Sequence, residues 1–154
     1  MRHRLVRLLA RRRPPPARPS RQAELRALTA LLDEAVEAQR GADEAVAACG
    51  EPGPVRATAA RECGQHSVTF HRLSGRLNSL PVTYPDLAEA RARAGRLLAY
   101  HQWMVRQAMD LAFTAHADAR TEAARLRLNG LGRPADDLRG LRDLLRGQAE
   151  RSSP

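Results

Sequence analysis

The sequence holds no lysine and no isoleucine, and only two cysteines, two phenylalanines, two tyrosines and one tryptophan. Asparagine occurs twice. These residues have AT-rich codons, so their joint scarcity points to a high-GC bacterium. Part of the arginine excess (all 26 basic residues are arginine) is then a coding habit rather than selection for binding. Aromatics at 3% leave no base-stacking platform. Two cysteines exclude a disulfide scaffold and a zinc-ribbon array. No apolar run approaches the ~20 residues that cross a bilayer. Also lacking are a G-x-S-x-G elbow, a Walker loop, a G-x-G-x-x-G turn and an H-E-x-x-H pair. No enzyme is expected, and no motif calls for a cofactor.

What remains is a chain of 154 residues, long enough for one compact domain without covalent staples. Its formal charge of +9 is unevenly spread. Residues 1–21 carry Arg2, Arg4, Arg7, Arg11, Arg12, Arg13, Arg18 and Arg21 and no acid, so the rest of the chain is nearly neutral. Pro14, Pro15, Pro16 and Pro19 stop a helix from running out of this arm into the body. Residues 1–20 therefore read as a basic, flexible arm. It could neutralise phosphates without reading sequence. With Leu5, Val6, Leu8 and Leu9 it could instead rest on an anionic membrane surface. It could also be a plain disordered tail, or residue of an upstream start in GC-rich sequence. It makes a poor secretory signal, because Arg7 splits a short apolar stretch. A cytoplasmic location is expected.

Past residue 20 the apolar spacing is helical throughout, with no period-two alternation to compete. Ser20 is placed to cap a first helix whose seam is Leu25, Leu28, Leu32, Ala35, Gln39, Ala42, Val46 and Cys49. Gly50-Glu51-Pro52-Gly53-Pro54 breaks it. A second seam, Ala59, Cys63, His66, Phe70, Leu73, Leu77 and Leu80, ends at Pro81. Asp86 and Glu89 have capping-box spacing at the head of a third. That seam runs Leu87, Ala90, Ala94, Leu97, His101, Met104, Ala108, Leu111 and Ala115. The expected fold is all-α, an antiparallel up-down-up bundle of three long helices over residues 21–116.

The third stripe continues through Ala119, Ala123 and Leu126 to the stop signal Asn129-Gly130. Unbroken, it would overhang the other helices by about 25 Å. A fourth helix after Pro134, with Leu138, Leu141, Leu144 and Leu145, would fold back as a C-terminal helical hairpin over residues 117–148. Residues 149–154 would form a disordered tail. Two helices alone bury little, so the hairpin needs a second surface. A kink near His116–Thr121 could supply it internally; otherwise another subunit or a partner protein would. Leu126, Leu138, Leu141 and Leu145 are thus candidate interaction residues. So is Trp103, which lies about 160° around its helix from the seam. It could equally be covered by the C-terminal helix or the arm.

Aligning the three seams places Gln39, His66 and His101 in one polar layer, with Cys63 and Met104 in the next. Two imidazoles and two sulfur groups, His66, His101, Cys63 and Met104, could hold copper, zinc or haem iron. The same layer could instead be hydrogen-bonded and fix helix register, as single polar seam residues do in coiled coils. In this register Cys49 faces residue 56, so Cys49 and Cys63 sit about 10 Å apart along the axis, beyond disulfide reach. Two buried structural thiols are then expected. A nucleophilic Cys63 with His66 at i+3 would lack an orienting group and an oxyanion donor. The function these features favour is a non-enzymatic helical interaction protein, self-associating or adaptor-like. The alternatives are sequence-independent nucleic-acid association through the arm and a metal- or haem-binding bundle on His66 and His101.

Overall fold

A computed structural model describes residues 18–151, and the described chain is all-helical. Its elements are α1 (Arg21–Cys49), α2 (Ala57–Ser79), α3 (Pro85–Ala112), α4 (Ala119–Arg125) and α5 (Arg133–Arg151). None of these helices is long and apolar enough to cross a membrane. Residues 1–17, with six of the eight arm arginines, and residues 152–154 lie outside the described part.

Local chemistry sets most helix ends. Ser20 has extended backbone and its Oγ accepts from the Ala23 N–H at 3.2 Å, closing the first turn of α1. Pro85 occupies the first turn of α3, where its missing N–H costs nothing and its fixed φ fits the helix. This start puts the cap at Tyr84, so the expected Asp86/Glu89 box does not form, and Asp86 instead meets Arg21 of α1. The reciprocal capping box lies further on. Asp118 Oδ1 accepts from the Thr121 N–H at 2.7 Å, and the Thr121 hydroxyl accepts from the Asp118 N–H at 2.9 Å.

Long-range pairs fix how the helices run. Cys49 meets Cys63 and Glu34 meets Arg76, so α1 and α2 run in opposite directions. Arg21 with Asp86 and Gln39 with His101 give α1 and α3 the same direction. Asp33 with Arg146 and Gln39 with Arg139 turn α5 back against α1. Helices α2 and α5 each pack on both α1 and α3, and α1 also packs on α3. One core runs through all four, from Leu25, Leu28 and Leu32 through Phe70, Leu73 and Leu98 to Leu138 and Leu145.

The C-terminal segment departs from the expected hairpin extension. Helix α3 ends at Ala112, the chain turns through residues 113–118, and the capping box restarts it as α4, so there is no overhang. Freed from that geometry, α5 lies along α1 and α3 and buries Leu138, Leu141 and Leu145 to 0, 4 and 2% exposure. These three leucines need no outside surface, because α1 and α3 already supply one. The helix also runs on to Arg151, into the expected tail.

The second helix sits one to two turns away from its expected register, one against α3 and about two against the end of α1. His101 pairs with Gln39 as the α1 and α3 seams imply, but Phe70, not His66, stands beside it, with ring centroids 5.3 Å apart. Cys49 likewise meets Cys63 rather than Arg56, with Sγ atoms at 3.8 Å. Seam alternation repeats every few residues, so a slide of one turn keeps apolar faces together and the spacing alone cannot choose between the two. The level observed brings His66 close against the α1 backbone, where a Cβ on Gly41 would stand 2.8 Å from the His66 ring.

Candidate functional site

Three polar or exposed constellations stand out, and α3 or α1 carries a part of each. The first is the buried layer around His101. Its Nδ1–H donates to the Leu97 carbonyl at 2.5 Å, one turn back on α3. That leaves Nε2 as an acceptor, and the Gln39 amide donates to it at 2.8 Å. The Gln39 nitrogen also reaches the Ala135 carbonyl at 3.2 Å, and its oxygen accepts from Arg139 at 3.2 Å. Helices α1, α3 and α5 are therefore joined by one amide. Burial pushes the His101 imidazole below its ordinary 6.5; the Leu97 carbonyl opposes this and the Arg139 charge adds to it. His101 is neutral in this setting.

The expected ligand set does not converge. Both His101 nitrogens are occupied, so no lone pair is free for a metal. His66 is half-buried against Gly41, with its own pKa lowered by burial against the pull of Glu62. Cys63 faces Cys49, and Met104 is only partly buried at the edge of the core. The physical cause is the turn of register in α2, which separates His66 from His101. Among the described residues no three or more His, Cys, Asp or Glu side chains are grouped to hold a metal ion.

Above Gln39 an open cleft of about 580 Å³ lies between α1 and the start of α5. Arg40, Arg133 and Arg139 line it together with Glu37, Asp43 and Asp136. Asp43 holds its floor by accepting from the Leu131 N–H at 2.7 Å. Gly130, at φ +113°, allows that approach, since a Cβ there would lie 2.4 Å from Asp43 Oδ1. Periodicity marks none of this, because the cleft joins residues about 90 positions apart.

The second constellation is the thiol pair. Cys49 ends α1 and Cys63 lies in α2, both fully buried and free. Burial raises both thiols, Cys63 to about 12, while at Cys49 the contact with Cys63 and the nearby Arg125 charge oppose the rise. No acid or base stands poised to activate Cys63, and His66 has no hydrogen bond to it.

Arg125 itself was not marked by any sequence pattern. Its guanidinium donates to the Cys49 and Glu51 carbonyls, each at 2.8 Å, and to the Gly53 carbonyl at 3.2 Å. Glu122, three residues earlier, pairs with it. That i,i+3 spacing is the one local signal that could have singled it out.

The third constellation is the outer face of α3. Trp103 is 52% exposed, and its ring centroid lies 5.5 Å from that of Tyr100. Neither α5 nor any other described element covers it. Leu126 is exposed as well, at 46%, whereas its expected hairpin partners Leu138, Leu141 and Leu145 are buried. Of the arm arginines in the described part, Arg18 is exposed and Arg21 is engaged with Asp86. Comparison of the chain with known protein families, with characterised proteins and with solved structures finds no match.

Proposed function

We propose that this chain is a non-enzymatic helical interaction protein that associates with a second copy of itself through the outer face of α3. The observation that carries this reading is the exposed Tyr100–Trp103 pair. Trp and Tyr offer large rigid contact area at small entropic cost, and they dominate the centres of protein interfaces. Arg96 and Arg106 flank the pair in sequence and are exposed, with no ion-pair partner among the described residues. A two-fold partner brings each surface against its own copy, so the arginines of one chain can stack on the rings of the other. With Leu138, Leu141 and Leu145 buried against α1 and α3, α5 contributes framework, and Leu144 alone of its leucines is exposed.

Sedimentation velocity over a concentration series tests this. The native chain should pass from monomer to dimer, and Trp103→Ala should remain monomeric while its stability stays within about 0.5 kcal/mol of the native value, as surface substitutions do. A native chain that stays monomeric throughout would sink the proposal.

The separation of charge along the chain favours a second reading, sequence-independent association with nucleic acid through residues 1–21. The body pairs many of its arginines with its own acids, whereas residues 1–20 carry seven arginines and no acid. Deleting residues 1–19 should flatten the dependence of DNA affinity on salt. Absence of DNA binding by the full chain at low salt rejects this reading.

A further inference from the structure

We propose that Cys49 and Cys63 form an oxidisable pair, a site where a small hydroperoxide closes a disulfide that ties the end of α1 to α2. The two sulfur atoms are 3.8 Å apart, each nearest to the other across the helix pair. Closing to the disulfide distance of about 2 Å takes rotation of two short side chains and a small local shift. The fourteen-residue separation spans the loop Gly50-Glu51-Pro52-Gly53-Pro54, in which Gly53 takes φ +94° and Arg125 holds the Glu51 and Gly53 carbonyls. Among the described residues no group of His, Cys, Asp or Glu is placed to hold a metal ion beside them.

The chemistry balances with the oxidant named. The Cys49 thiolate attacks one oxygen of hydrogen peroxide, breaks the O–O bond and leaves as a sulfenic acid, with hydroxide released and protonated to water. Cys63 then attacks that sulfur, its proton goes to the departing oxygen, and a second water leaves as the S–S bond forms. Cys49 is the attacking thiol because the Arg125 guanidinium, bonded to the Cys49 carbonyl, lends positive charge to that end of the pair. Cys63, with no cation beside it, is the resolving thiol. Burial of both makes the reaction slow in the closed protein and gates it by opening of the α1–α2 joint. Oxidation thus records how often that joint opens.

The test is intact-mass spectrometry of the full chain, folded, in excess hydrogen peroxide. The expected product has lost two hydrogens, carries no titratable thiol, regains both on reduction and melts at a higher temperature than the reduced chain. Cys49→Ser and Cys63→Ser should each fail to lose the two hydrogens. Circular dichroism of the oxidised chain guards against a product of unfolding. Retention of two thiols, gain of oxygen atoms without hydrogen loss, or a crosslinked product with altered helicity would each overturn the proposal.

Discussion

The two ends of the bundle are each held by one buried charge, and the charges have opposite sign. At one end Glu24 of α1 reaches the loop that starts α3. It accepts from the Thr83 N–H at 2.9 Å, the Thr83 hydroxyl at 2.5 Å and the Tyr84 N–H at 3.4 Å. At the other end Arg125 donates to the carbonyls that close α1 and the following loop. The difference follows helix polarity. A helix start presents unpaired N–H groups and positive potential, which an acid satisfies; a helix end presents carbonyls and negative potential, which a base satisfies. Neither helix end has a local side-chain cap: Tyr84 gives none, and Gly50 offers only its backbone N–H, to the Ala47 carbonyl. A distant residue of the right sign supplies what the local sequence omits.

Breaking the arginine end should cost most. Arg125→Met keeps much of the apolar stem but leaves three carbonyls and Glu122 without their donor. The expected loss is about 3 kcal/mol, read by urea denaturation. Recovery of less than half of that loss in Arg125→Lys would show that the guanidinium fork, and not charge alone, holds the joint.

Acid should break the two ends unequally, and a second titrating group sharpens the contrast. Burial pushes the Glu24 carboxyl up, but the Thr83 hydroxyl and the Thr83 and Tyr84 N–H groups pull it down further, leaving it below its ordinary 4.5. Its stabilisation is present above that value and is lost as pH falls through the lower folded value. Glu24→Gln should therefore weaken the fold at neutral pH and remove part of the acid dependence below 4.5. His101 acts earlier. Its folded value lies below 6.5, so the unfolded chain takes up the proton first and stability falls as pH drops below 6.5. His101→Gln should flatten the melting-temperature profile in that upper window and leave the Glu24 window in place. A profile unchanged by His101→Gln would mean that the buried imidazole is not what the acid limb reports. Arg125 does not titrate in this range, but its partner Glu122, held below its ordinary 4.5 by that arginine, does. The arginine end should therefore hold through the upper window and weaken only at lower pH, as Glu122 takes up its proton.

Much of the framework was legible from local rules. The Ser20 cap, the break at Gly50–Pro54, the stop at Pro81 and the acidic start of the last helix all depend on residues within a turn of one another. The Gln39–His101 contact was legible too, because two seams of the same direction share a register. What failed was the level of α2 and the fate of α5. A one-turn slide preserves the apolar pattern, so Phe70 displaced His66 beside His101 without any local violation. A stripe running past Ala112 could not reveal that Asp118 and Thr121 would cap a new helix instead of continuing the old one. The clamps Glu24 and Arg125 were invisible because their partners lie 59 to 76 positions away.

By itself, then, the sequence determined that the body is helical, where α1 starts and where it breaks from α2, and which face of each long helix is apolar, because those follow from backbone geometry and the spacing of neighbours. Only the tertiary structure decided that α5 buries Leu138, Leu141 and Leu145 at home, that two cysteines meet, that His101 has both nitrogens occupied and that Trp103 stands uncovered. Those outcomes depend on which apolar faces satisfy one another, and on which distant charge reaches an unpaired helix end. Both are set by packing in three dimensions, which no stretch of neighbouring residues encodes.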